Sequence, residues 1–474
     1  MASRYLSRLL RHQSRVSTRV RPRTQQQWRG AATLSAFEES LYNVPETMVT
    51  TLPNGFRVAS EDSGGETCTV GVYIDAGSRF ENEQNNGVAH FLEHMAFKGS
   101  AQRTQRQMEI QVENMGAHLN AYTSRELTVY YAKCFKQDLG TAVNMLSDLI
   151  QNPVLEQRAI DNERGVILRE SEEVSKQLEE VIMDELHAAA FQNTPLGMTI
   201  LGTEHNIRTI TRNQLRHYID THYTAPRIVL AAAGGVDHEH LVQLADHNFS
   251  ALKPTTKEGE YHPCPFTGSE VRMQEDQMPF AHVCMAVQGV SWTNPDYFGL
   301  MLASMICGQW NNTMGGAGRM SAGGLMSEVS SRGLAHNYMT FNTCYTDTGL
   351  WGVYSVCEPQ TVQQLVDAVQ HEWRRLCSDV TEEELRRAKD VLKTNFLLQF
   401  DGSTPICEDI GRQMITYGRR MPLPEFNYRV DMIDLDVFKN ICAKYIFGGL
   451  PAITAIGPVG ELVDYDTLCR SHRL

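Results

Sequence analysis

The sequence predicts two homologous α+β domains, and three observations carry that prediction. Short β-branched or aromatic runs alternate with longer amphipathic ones. The order of those runs recurs once, after about 220 residues. Finally, 474 residues with 42% hydrophobic and 21% charged content suffice for more than one hydrophobic core.

Taken in order, Val70 to Ile74 reads as a strand, His90 to Phe97 and Gln107 to Met115 as helices, and Leu127 to Ala132 as a second strand. Leu139 to Leu149 is helical, and the charged stretch from Glu163 to Phe191 reads as one long helix. Ile228 to Ala233 is a buried strand that ends at Gly234-Gly235. The second half echoes this order. Trp351-Gly-Val-Tyr-Ser-Val-Cys357 resembles Thr128-Val-Tyr-Tyr-Ala-Lys-Cys134, and a helix from Val362 to Leu376 follows it. Tyr445 to Val459 resembles Tyr223 to Val236. Lys253-Pro254, Pro263 and Pro265 mark the join near 255–268. The expected organisation is an address segment at 1–35, a first domain at 36–258 and a second at 259–474.

Composition excludes several classes. No run approaches the roughly 20 apolar residues of a membrane-spanning helix, so any membrane association is expected to be peripheral or through partners. The eleven cysteines include no Cys-x-x-Cys pair, which points to core thiols in a reducing compartment. Net charge is −13, yet the first 37 residues hold eight arginines and no acid. The body is therefore more acidic than the whole; it repels nucleic acid and attracts cationic ligands. The head is rich in Arg, Ser and Gln, and Tyr5, Leu6, Leu9 and Leu10 can form an apolar stripe opposite the arginines. That is the composition of a mitochondrial transit peptide, with the matrix as the expected destination.

The sharpest motif is His90-Phe-Leu-Glu93-His94, an inverted His-x-x-Glu-His. On a helix, residues four apart share a face, so His90 and His94 suit two imidazole ligands of a zinc ion. Glu93 beside them can take a proton from water as a general base. A catalytic zinc site needs a third protein ligand. At 100° per residue with Glu170 as zero, Glu163 falls near +20°, Asp184 near −40° and Glu180 near −80°. These four carboxylates supply candidates, although a solvated acidic helix face accounts for such a run equally well.

His90-Phe-Leu-Glu-His-Met-Ala-Phe-Lys-Gly99 and Glu163-Arg-Gly-Val-Ile-Leu-Arg-Glu170 resemble the pitrilysin family of inverted-motif zinc peptidases. Asn54 to Val58, Gly116 to Glu126, Pro195 to Gly197, Leu334 to Phe341 and Asp347 to Tyr354 extend the resemblance over nearly everything after the head. It implies that each domain is a mainly antiparallel sheet packed against helices, the pair forming half of a clam-shell chamber. It implies one Zn2+ per chain on His90, His94 and Glu170, with Glu93 catalytic and Glu163 supporting the site without binding metal. Asn120, Ala121 and Tyr122 match an edge strand on which substrate is laid. Glu180 and Asp184 match an acidic pair that holds a substrate arginine. At i, i+4 spacing both carboxylates sit on one side of a helix.

The second half holds no His-x-x-Glu-His, and Lys393 and Asn395 stand near the counterpart of Glu170. Only the first domain is therefore expected to be catalytic. Family members of one chain carry four such domains, so this two-domain chain is expected to need a second, α-type chain of the family. The glycine-rich run from Gly315 to Gly324 departs from the longer substrate-gating loop of those α-type chains and reads as a surface loop. The leading expectation is an endopeptidase that removes basic presequences from imported precursors. The competing one is a core subunit of the cytochrome bc1 complex, with or without peptidase activity. A general peptide-degrading member is the third.

Overall fold

The computed structural model describes residues 44–254, 262–313 and 324–473. The expected address segment, most of the join and the glycine-rich run up to residue 323 lie outside them. The first half carries strands β1 (Met48–Thr51), β2 (Arg57–Asp62), β3 (Thr67–Ile74), β4 (His118–Thr123), β5 (Thr128–Phe135) and β6 (Ile228–Gly234). Its helices are α1 (Val88–Ala96), α2 (Gln105–Met115), α3 (Leu139–Gln151), α4 (Gln157–Val174), α5 (Leu178–Ala190), α6 (Glu204–Thr209), α7 (Arg212–His222) and α8 (His238–Phe249). The second half carries β7 (Glu270–Gln274), β8 (Ala281–Gln288), β9 (Gln309–Asn311), β10 (Asn337–Cys344), β11 (Gly349–Cys357) and β12 (Ala452–Gly457). Helices α9 (Tyr297–Cys307), α10 (Gly324–Arg332), α11 (Val362–Ser378), α12 (Glu382–Leu398), α13 (Ser403–Thr416), α14 (Leu423–Asp431), α15 (Leu435–Cys442) and α16 (Tyr465–Arg473) complete it.

The repeat seen in the sequence is a repeat of topology. The first sheet runs β1-β2-β6-β3-β5-β4 and the second β7-β12-β8-β11-β10-β9. In each, one pair is parallel, β2 with β6 and β7 with β12, and every other pair is antiparallel. The central strands β3, β6, β8 and β11 are buried almost throughout. Sheets covered on both faces produce such continuous apolar runs. The two edges differ, however. Strand β9 pairs with Asn337 to Met339 of β10, whereas β4 pairs with β5 alone.

The expected helix from 163 to 191 is two helices, and this corrects the sequence reading. α4 ends at Val174, and Gln177 takes an extended conformation (φ −92°, ψ 90°) before α5 begins. Two forces break it. The Ser175 hydroxyl donates back to the Glu172 carbonyl at 2.8 Å, a local bond that competes with the helix ladder. Burial then draws α5 elsewhere: Ile182, Leu186 and Ala190 join Cys284, Ala286, Leu350 and Ile456 in a core on the second sheet. The single wheel carrying Glu163, Glu170, Glu180 and Asp184 therefore does not exist.

A reciprocal exchange follows from that packing. α5 belongs by sequence to the first half but lies on β8 and β12 of the second sheet. α13 belongs to the second half but lies on β3 and β6 of the first, where Cys407, Ile410 and Met414 meet Tyr73, Ala231 and Ala233. Residues 45–474 accordingly form one unit. Contact between α13 and β3 is close because residue 411 is glycine. A Cβ there would lie 2.3 Å from the ring of Tyr73, which is fully buried. Gly411→Ala is expected to destabilise the protein by about 1–3 kcal/mol, read as a lower urea midpoint.

All eleven cysteines are unpaired, and ten of them are buried. Among the described residues no helix is long and apolar enough to cross a membrane.

Candidate metal centre

Helix α1 is short and held at both ends. Val88, Ala89, Phe91, Leu92, Met95 and Ala96 are all buried in the first core, which leaves His90, Glu93 and His94 for the other face. Its N-terminal amides are met by the buried Glu81 carboxylate, which accepts from the N–H groups of Gly87 and Ala89 at 2.8 Å each. Burial pushes that carboxyl up to about 7, against the pull of these donors and of Asn86. Gly87 precedes the helix at φ 98°, and a Cβ there would press on the Leu201 carbonyl at 2.8 Å. Only glycine fits both demands.

Helix α4 brings the carboxylates. Glu170 Oε2 lies 3.1 Å from His94 Nε2, and Glu170 Oε1 lies 3.7 Å from His90 Nε2. One ligand atom from each of these three residues falls within 4.8 Å of the others, and no other such cluster occurs among the described residues. Glu163, which is buried, stands behind them: its Oε2 is 3.3 Å from His94 Nδ1 and its Oε1 is 2.8 Å from Lys98 Nζ. Glu163 thus orients His94 so that Nε2 faces the cluster, the arrangement that fixes the tautomer of a metal-bound imidazole. Burial disfavours the His94 imidazolium, but the hydrogen bonds and charges of Glu170 and Glu163 outweigh it and raise its pKa. The neighbouring imidazoles of His90 and His94 hold Glu170 well below the ordinary carboxylate range.

The donor set fits a divalent ion. Two imidazole nitrogens and a carboxylate converge from two helices, and the buried Nδ1 of His90 has no hydrogen-bond partner among the described residues. Glu163→Gln is expected to weaken divalent-ion affinity by about 10–100-fold without loss of helix content, measured by chelator competition.

Glu93 is held by a residue that the sequence did not single out. The Thr123 hydroxyl, at the end of β4, donates to Glu93 Oε2 at 2.6 Å. Its only sequence signal is a place next to the Asn120 to Tyr122 segment. That segment lies on the open edge of the first sheet, as the resemblance implied. The proposed arginine-binding acids sit differently from one another. Glu180 is exposed in the first turn of α5. Asp184 instead accepts a 2.7 Å bond from Arg125 Nη2, so it has an internal arginine as a standing partner. In the second half, the counterpart of α1 is the apolar α9, which packs on α12. Lys393 of α12 pairs with Asp431 at 2.6 Å. A cavity of about 850 Å³ lies between the β4–β5 turn and the second half and touches none of the three clustered residues.

Comparison with known proteins agrees with this geometry. A family model described as Insulinase (Peptidase family M16) matches residues 57–204, and one described as Peptidase M16 inactive domain matches residues 209–392. The chain is 55% identical over 442 residues to the mitochondrial-processing peptidase subunit beta of Bos taurus, covering 92% of this chain and 90% of that protein. Against the Homo sapiens subunit it is 55% identical over 434 residues, covering 91% and 88%. It is 46% identical over 437 residues to cytochrome b-c1 complex subunit 1 of Homo sapiens, covering 92% and 91%. A chain in the solved structure of complex III2 from Candida albicans, Inz-5 bound, matches with a TM-score of 0.80 at 25% identity, covering 90% of this chain and all of that one. Two matched domains and identity above one half over almost the full length lead to one conclusion: the chain belongs to the M16 family of metallopeptidases, peptide-bond hydrolases that work with a divalent metal.

Proposed function

We propose that the chain is the catalytic β subunit of a mitochondrial processing peptidase, a zinc endopeptidase that removes N-terminal presequences from imported precursors. The observation that carries this reading is the complete set of His90, His94, Glu170 and a Thr123-held Glu93 beside an open strand edge. Identity points the same way, at 55% to processing-peptidase subunits against 46% to the bc1 subunit.

His90, His94 and Glu170 would hold the ion, and their nitrogen and oxygen donors suit zinc. Zinc bound there supplies Lewis-acid polarisation of the scissile carbonyl and of water. Glu93 takes the proton from the attacking water as its oxygen adds to the carbonyl carbon. The same carboxyl then delivers that proton to the departing amine nitrogen as the C–N bond breaks. Strand β4 aligns the substrate backbone through main-chain hydrogen bonds along Asn120, Ala121 and Tyr122, with little demand on sequence. Glu180 and Asp184, one helical turn apart, receive a substrate arginine, with Arg125 fixing the Asp184 carboxylate.

Activity requires an α-type partner chain, and the matrix is the site of action, reached through the basic address at 1–35. A second reading, a core subunit of the bc1 complex with or without retained peptidase activity, is favoured by the match to a complex III2 chain. The test combines the mature chain, with and without an α partner, and an arginine-bearing presequence peptide. One specific cut that needs partner, zinc and Glu93 supports the processing peptidase. No cut from a well-formed, zinc-loaded heterodimer, together with co-purification of cytochrome b and haem, would select a structural subunit.

A further inference from the structure

We propose that Glu408 and Arg412, on helix α13 of the second half, are positioning residues for the substrate strand and act through Tyr122. The proposal rests on the reading that β4 takes substrate as an added strand.

Neighbouring residues at the end of β4 point to opposite faces of the sheet. Thr123 reaches the Glu93 carboxylate on the α1 side. Tyr122 turns to the other face and packs with the α13 cluster. There its hydroxyl donates to Glu408 Oε1 and receives Arg412 Nη2 at 3.3 Å. Arg412 Nε donates to the same Glu408 oxygen, and the guanidinium carbon lies 5.7 Å from the Tyr122 ring centroid. The second Glu408 oxygen accepts from Tyr73 at 3.1 Å. Tyr73 is fully buried on central strand β3.

Glu408 therefore ties the edge strand to the middle of the sheet. β4 has a strand neighbour on one side only, so its end depends on side-chain contacts for a fixed twist. α13 is a rigid base for such contacts, since it is pressed onto Tyr73 at Gly411 and buried at Cys407, Ile410 and Met414. An edge ordered before binding saves the entropy of ordering it during binding. The second half thereby reaches the proposed substrate strand from the face opposite the three clustered residues.

The test is steady-state cleavage of an extended presequence peptide by the zinc-loaded heterodimer carrying Tyr122→Phe, Arg412→Met, Glu408→Gln or the first two together. Each single change is expected to raise KM by about three- to tenfold with kcat within about twofold. Tyr122→Phe with Arg412→Met should be no worse than Tyr122→Phe alone, because Arg412 meets the hydroxyl that Tyr122→Phe already removes. Arg412→Lys should restore part of the KM, and the urea midpoints of the Arg412 variants should match wild type. Unchanged KM, or additive effects in the double variant, would overturn the proposal. A parallel arm uses the same peptide N-methylated at alternate backbone amides near the scissile bond. If no N-methyl peptide raises the wild-type KM, the added-strand reading fails, and this proposal fails with it. If methylation does raise KM and the variants do not, the proposal alone falls.

Discussion

Glu93→Gln is expected to lower kcat/KM by about 10²–10⁴-fold while leaving divalent-ion content unchanged. The side chain touches none of the converging donors' hydrogen bonds; its contact is with Thr123. An amide of the same shape keeps α1 packed but cannot accept a proton from water. Thr123→Val should reproduce a smaller part of the loss, roughly tenfold, because it removes one hydrogen bond to a charged group. Thr123→Ser should recover most of it. Metal analysis beside kinetics separates the outcomes. A Glu93→Gln protein that has lost its ion would place Glu93 among the ligands, and one that keeps full activity would remove it from the mechanism.

Arg79→Met is expected to cost about 3–5 kcal/mol of stability at neutral pH. Arg79 sits at the junction of the halves with 2% of its side chain exposed. It donates to Glu126 at 2.8 Å, makes two 2.7 Å bonds to Asp347 and reaches the His262 carbonyl at 3.1 Å. Glu126 also accepts from the Thr346 N–H, so the β4–β5 turn and the β10–β11 turn are locked through one guanidinium. Methionine would fill the space but leave a buried carboxylate beside a second one. The deficit should shrink as the pH falls. Burial already raises the Glu126 pKa, with Thr346 and Arg79 opposing that rise. Without Arg79 the folded-state value climbs further. A carboxyl raised in the folded state contributes stability that is present below its unfolded pKa and lost as pH rises through the folded one. Asp347, although partly buried, is held low by Arg79 in the wild type. Its contribution is lost only as pH falls below its unfolded value toward that lowered one, beneath pH 5, so the change between pH 7.5 and pH 5 is read from Glu126. Urea midpoints for wild type and variant at pH 5 and pH 7.5 test this. A gap that stays constant or widens at pH 5 would contradict the argument.

The readable and unreadable parts of this protein divide by distance along the chain. His90, Glu93 and His94 were legible because four-residue spacing on a helix is local geometry. The repeated halves were legible because strand and helix periodicities recur in the same order. Glu170 followed from the family resemblance, since four acids on one imagined helix face were equal candidates. That face was an error with a clear cause. Periodicity continues through Ser175 to Gln177, but the apolar residues of α5 find their partners on the second sheet.

By its own local patterns, then, the sequence determined the α+β class, the duplication and the pair of imidazoles with a carboxylate between them. Tertiary structure alone decided which carboxylate meets both imidazoles, that Thr123 holds the Glu93 carboxylate and that α5 and α13 change sheets. It also decided that Glu408 and Arg412 reach Tyr122 across nearly 300 residues of chain, with sequence separations of 286 and 290. The physical reason is common to all of these. Backbone periodicity is written residue by residue, whereas burial and hydrogen bonding are satisfied by whichever partner the packed chain brings near.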